Sequence, residues 1–191
     1  MSLSLKTLAT TAFLLLFGSA LALAQSSTDS PKTKASPGTT TADSAFMKKV
    51  AAGGMAEVEL GQLAVQKASS SDVKAFGQRM VDDHGKANEQ LKQLAAEKHV
   101  DIPQAPGAKH RATKARLEAL SGTQFDQAYI EEMVKDHKKD VAEFQHASKS
   151  AKDDDVKNFA AQILPTLQDH LKQIEGMAPA HKTETSAMQK P

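Results

Sequence analysis

Cysteine is absent from the 191 residues. The chain therefore has no thiol to carry a lipid anchor, and no disulfide can support it; its stability has to come from a packed core. No block of one charge sign is present either. Lysine and arginine number 24, aspartate and glutamate 23. A chain so balanced, without a basic stripe, does not read as a nucleic-acid binder. Nor does any stretch alternate polar and apolar residues over the length of a strand, which argues against a sheet.

What is there begins with "MSLSLKTLATTAFLLLFGSALALA", residues 1–24, where Lys6 is the only charge. A lysine, a Leu/Phe-rich run and Ala22-Leu23-Ala24 are the parts of a secretory signal peptide cleaved before Gln25. The apolar run is short for a membrane span, so an uncleaved anchor is the lesser reading. Cleavage predicts a periplasmic chain with no transmembrane segment and a possible association with the envelope. Residues 25–42 are rich in Ser, Thr, Pro and Lys and are expected to form a disordered linker; residues 178–191 read as a disordered tail.

Between them, residues 43–177 carry four helical patterns. The first runs from about Asp43 to Ala68, with Phe46, Val50, Gly54, Val58, Gly61 and Val65 as its repeating face. The second opens at "SSSD" and carries Val73, Phe76, Met80, His84, Ala87, Leu91 and Leu94. The third follows "SGT" with Phe125, Tyr129, Met133, His137, Val141 and Phe144. The fourth opens at "DDD", acids suited to a helix N-terminus, and carries Val156, Phe159, Ile163, Leu167, His170 or Leu171, and Ile174. Short connections near Ser69–Ser71 and Ser150–Asp153 make two antiparallel pairs. The segment between the pairs, "DIPQAPGAKHRATKARLEALSGT", has a middle able to form a short helix and is long enough to cross back along a ~40 Å helix. That makes the third helix parallel to the second, the long-crossover bundle of ferritin-like folds. A simple up-down bundle is the alternative.

Three Asp-His pairs recur, in "MVDDHGK", "MVKDHKK" and "LQDHLK". His84 and His137 fall within the core series of their helices, and His170 flanks its own. The first helix offers Glu57 within "GGMAEVELG", about as far from the first turn as His84. A buried, hydrogen-bonded imidazole is the ordinary explanation of one such histidine. Three, one per helix and near one level, point to a shared site of Glu57, His84, His137 and His170. Imidazoles and a carboxylate suit a transition metal: Cu, Zn or Fe. Met80 and Met133, one turn before their histidines, are weaker candidates, since methionine is an adaptable core filler. Asp83, Asp136 and Asp169 either pair with Lys86, Lys139 and Lys172 or orient a histidine on another helix. Pro165 is expected to disturb the last turns ahead of His170.

Three stretches carry a resemblance: "FMKKVAAGGMAEVELGQLAVQKASSSDVKAFGQRMVDDHGKANEQL", "GTQFDQAYIEEMVKDHKKDVAEF" and "VKNFAAQILPTLQDHLKQI". Over about residues 44–176 the chain resembles domain of unknown function family 4142, a bacterial envelope family whose members carry an outer-membrane label. The resemblance implies a ferritin-like four-helix bundle and no settled activity. The label does not suit a helical chain, since a barrel needs many alternating strands. Di-iron bundles use Glu-x-x-His, but here the residues three before each histidine are Val81, Val134 and Leu167. A ferroxidase centre is therefore not expected. The sequence favours a metal-binding helical module, with a structural or interaction protein of the envelope as the alternative. No substrate pocket is marked, which leaves a redox enzyme as the least supported reading. Protein partners and oligomeric state are not legible.

Overall fold

The computed structural model describes residues 38–178. The expected signal peptide, most of the expected linker and all but the first residue of the tail lie outside the described residues. Every described residue belongs to one unit of the chain, Ala35–Pro191. Five helices form it: α1 (Thr41–Lys67), α2 (Ser71–Glu97), α3 (Ala108–Glu118), α4 (Gly122–Ser150) and α5 (Asp154–Met177). No strand occurs among the described residues.

The helix ends follow from local chemistry. Thr40 and Asp43 form a capping box at the start of α1, satisfying two backbone donors that the first turn leaves free. Ser70 caps α2 and Asp153 caps α5. α2 ends at Glu97, and His99 just beyond it has a left-handed φ of 54°. The His99 and Val100 amides donate back to the Ala96 and Ala95 carbonyls, the Schellman arrangement that usually takes glycine.

α1 lies along α2, and α4 along α5. Ties between the turns fix how the pairs meet. Asp126, in the first turns of α4, accepts hydrogen bonds from the Ser69 and Ser70 amides at 3.0 and 2.9 Å. Asp43, at the start of α1, accepts from the Lys152 and Asp153 amides, both at 3.2 Å. Lys98, at the end of α2, reaches Asp153 at 2.9 Å. The α1–α2 turn thus sits beside the start of α4. The α4–α5 turn sits beside the start of α1 and the end of α2.

One expected face is corrected. On α1 the repeating series through Phe46, Val50, Val58 and Val65 is not the buried one: Val65 is exposed and the other three are partly buried. The interior side carries Met47, Ala51, Gly54, Glu57, Leu60, Gly61 and Ala64. Gly54 and Gly61 belong to both series. A Cβ on Gly61 would lie 2.6 Å from the Gly77 carbonyl of α2, and one on Gly77 would lie 2.8 Å from Ala64 Cβ. Close backbone approach turns Gly61 of the expected series towards α2 and leaves its larger members at the edge of the contact.

Two apolar clusters fill the interior. One gathers Leu60, Phe76, Met80, Leu117, Phe125, Tyr129, Met133 and Ile174. The other gathers Met47, Leu91, Leu94, Phe144, Val156, Phe159 and Leu167. On α2, α4 and α5 the switch from one cluster to the other falls at His84, His137 and His170.

Candidate metal centre

Each histidine is placed by its helix. Met80, His84 and Leu91 follow one face of α2; Met133, His137 and Phe144 one face of α4; Leu167, His170 and Ile174 one face of α5. Helical periodicity thus sends each imidazole inward at the layer between the two apolar clusters. His137 and His170 are fully buried and His84 nearly so. Their ring centroids are 5.4 to 5.8 Å apart. Phe76 meets His137 and His170 edge-on and closes the side towards the α1–α2 turn. α5 runs as helix through Pro165 to Met177, and His170, rather than Leu171, holds the buried position.

Hydrogen bonds set the tautomers of two rings. His137 Nδ1 lies 3.0 Å from the Met133 carbonyl; a carbonyl only accepts, so Nδ1 carries the proton. His170 Nε2 lies 2.9 Å from Asp83 Oδ2. The His170 and Arg79 hydrogen bonds hold the Asp83 carboxyl below its ordinary range despite the opposing push of burial, so it accepts and Nε2 donates. The lone pairs of His137 Nε2 and His170 Nδ1 are then left over. Those two atoms and His84 Nε2 are buried without a hydrogen-bond partner. One ring nitrogen from each of the three histidines can be chosen so that all lie within 4.8 Å of one another.

The rings are neutral near pH 7. Burial, then the neighbouring His137 and His170, pushes His84 well down. Burial and His170 bring His137 down to about 4. Burial lowers His170 against the opposing pull of Asp83. Neutral imidazoles with ring nitrogens within 4.8 Å of one another offer the donor type that late transition metals and zinc prefer. Asp83 fits the orienting role expected of an acid on another helix, reaching from α2 to α5. Asp136 instead pairs with Lys139 at 3.2 Å, and Asp169 is exposed.

The remaining sequence candidates fall elsewhere. Glu57 is buried but stands outside the three-histidine cluster. It lines a neighbouring cavity of about 70 Å³ together with His84. Burial, then Asp140, Asp136 and Glu132, pushes its carboxyl well up. Met80 and Met133 are fully buried within an apolar cluster, which suits packing. Tyr129 is fully buried and its hydroxyl finds no partner among the described residues. Asp140 and Glu143, which line the Glu57 cavity, did not figure in the sequence reading. Their spacing from Asp136, four and seven residues on, was the available signal, since it puts all three on one side of α4.

No curated protein matches this chain. Among solved structures, a DUF305 fragment from Deinococcus radiodurans is similar with a TM-score of 0.65 at 15% identity, over 74% of this chain and 97% of that one. A protein from Bacillus halodurans C-125, provisionally named as a spore coat protein, is similar with a TM-score of 0.61 at 12% identity, over 74% of this chain and 88% of that one. At such identities the likeness is one of helical fold alone. Residues 28–177 match a domain of unknown function, DUF4142, and the chain belongs to that family.

Proposed function

We propose that the protein is an exported helical module that holds one transition-metal ion, Cu, Zn or Fe, between His84, His137 and His170. The observation that carries this reading is that each of three buried histidines has an unpartnered ring nitrogen and that ligand nitrogens of the three come within 4.8 Å of one another. Leaving each acceptor unsatisfied costs about 1–3 kcal/mol, and a shared cation satisfies all three together. Asp83 and the Met133 carbonyl fix two of the rings, as outer partners of metal-bound histidines do. Such a site suits buffering or stress-related binding in the periplasm, the location that the amino-terminal segment implies. No described helix is long and apolar enough to cross a membrane. Within this reading the domain is a ferritin-like four-helix bundle with α3 on a long crossover. The pairing of the α1–α2 turn with the start of α4, and of Lys98 with Asp153, supports that topology.

The test is thermal melting of protein purified without a histidine tag, with chelator and with Cu, Zn or Fe. An ion at a hundred times its Kd contributes about 2.7 kcal/mol, roughly 10 °C for a domain of this size. His84→Ala should lose that rise, and acid should release the ion as protons compete for the rings. Wild-type curves that ignore every metal would sink the metal site. They would leave the packed, edge-to-face histidines with a structural role.

A further inference from the structure

The cavity beside His84 has a built-in bias of charge. Its interior wall carries Glu57 and Asp136, both buried. Its outer part carries Asp140 and Glu143, both only partly buried. Against these four acids stand Lys49 and Lys139. Lys49 pairs with Glu143 at 2.5 Å and Lys139 with Asp136 at 3.2 Å, so the acids outnumber the lysines by two. Glu57 and His84, both in its lining, carry buried atoms, Oε2 and Nε2, that find no hydrogen-bond partner. The acids thus form a graded path from solvent to a ring of the three-histidine site. A second cavity, of about 180 Å³, also reaches His84 and His170. Its charges are one acid and one base, Asp83 and Lys86, and Asp83 is already held by Arg79 and His170.

We propose that the acidic cavity is a loading site, where a hydrated divalent cation is drawn in by Asp140 and Glu143, passed to Glu57 and delivered to His84 Nε2. This rests on the metal-binding reading above. A volume of about 70 Å³ holds a small ion with several waters. Among the described residues, the three histidines are the only group of three whose ligand atoms come within 4.8 Å. The carboxylates are therefore too spread to strip and retain the ion, which suits transit rather than storage. Acids along a narrow cleft focus the field and raise the local concentration of cations.

Stopped-flow mixing of chelator-treated protein with Co(II) reads the visible band of histidine-bound cobalt. At low ionic strength the double variant Asp140→Asn with Glu143→Gln should take up Co(II) roughly tenfold more slowly. The difference should vanish at high salt, with the final band and stoichiometry unchanged. Lys86→Glu, on the other cavity, should leave the rate as it was. Melting of each variant checks that it is folded. An unaltered rate in the folded double variant overturns the loading path and leaves the histidine site standing. A rate altered by Lys86→Glu instead moves access to the other cavity. Loss of the final band in the double variant makes those acids ligands and overturns transit. No band in wild type fells the histidine site and the loading path together.

Discussion

Acid should act on the metal-free protein through opposed groups, and His137 and Asp140 can each be isolated by one substitution. His137 has its pKa lowered from 6.5 to about 4, by burial first and then by His170. Its contribution to stability is whole above pH 6.5 and is lost as pH falls towards 4, because the unfolded imidazole takes a proton that the folded one refuses. At pH 5 this amounts to about 2 kcal/mol, at 1.36 kcal/mol per pH unit. Asp140 runs the other way. Burial, then Asp136 and Glu143, raises it from 3.8 to about 7. Its charge destabilises the fold above pH 7, and the penalty is relieved as pH falls towards 3.8. The full difference would be about 4 kcal/mol. Water at this partly buried residue screens some of it, leaving on the order of 2 kcal/mol. Urea titrations with chelator at pH 8 and pH 5 measure both. Asp140→Asn should be more stable than wild type at pH 8, and that advantage should shrink at pH 5. His137→Phe, which keeps a ring against Phe76, should lose less stability than wild type between the two pH values. If Asp140→Asn parallels wild type at both, Asp140 carries no such burden. If His137→Phe loses as much as wild type, the buried imidazole is not the acid-sensitive group.

Four further outcomes can be checked by melting and metal titration. Gly61→Ala should destabilise by about 1–3 kcal/mol, because its Cβ meets the rigid Gly77 carbonyl. Gly53→Ala, with nothing within 4 Å, should stabilise by about 1 kcal/mol through helix propensity. His99→Gly should raise stability by about 1 kcal/mol by relieving the left-handed backbone at the end of α2. Asp83→Asn should weaken metal affinity roughly 10- to 100-fold while leaving one ion per chain, since it loosens the orientation of His170.

The faces of α2, α4 and α5 were legible because large apolar residues repeat there at helical spacing. Phe76, Met80, Met133, Phe159 and Ile174 all lie in the interior; His84 and His137 could be read from the same series, and His170 only as flanking its own. α1 was misread only in its large apolar residues, Phe46, Val50, Val58 and Val65, whereas Gly54 and Gly61 of the same series are buried, Gly61 against Gly77. The turn ties of Asp126 and Asp43 were not legible either. Each acts on amides 56 to 110 residues away, and nothing local distinguishes such an aspartate from a solvated one. Glu57 was expected to share a site with the three histidines; it is buried and lines a cavity with His84, outside the histidine cluster. Its separation from the histidine cluster depends on side-chain reach, which register alone does not give.

The repeated Asp-His text has a physical reading in this geometry. Neighbouring residues on a helix point about 100° apart, so an aspartate cannot serve the histidine that follows it. The three acids accordingly do three different things: Asp83 holds His170 of another helix, Asp136 pairs with Lys139 on the cavity side of α4, and Asp169 faces solvent. What is common to the three pairs is the histidine at a buried position, one on each of three helices and all at one layer. If packing were the only demand there, leucine or phenylalanine would fill the layer without unsatisfied ring nitrogens, each of which costs about 1–3 kcal/mol. The Met133 carbonyl and Asp83 each occupy the outward nitrogen of a ring, which keeps the inward nitrogen a bare acceptor. Two donors would have served a hydrogen-bonded core better. Buried acceptors without a donor partner are what a bound cation would satisfy, and the metal titrations test whether one does.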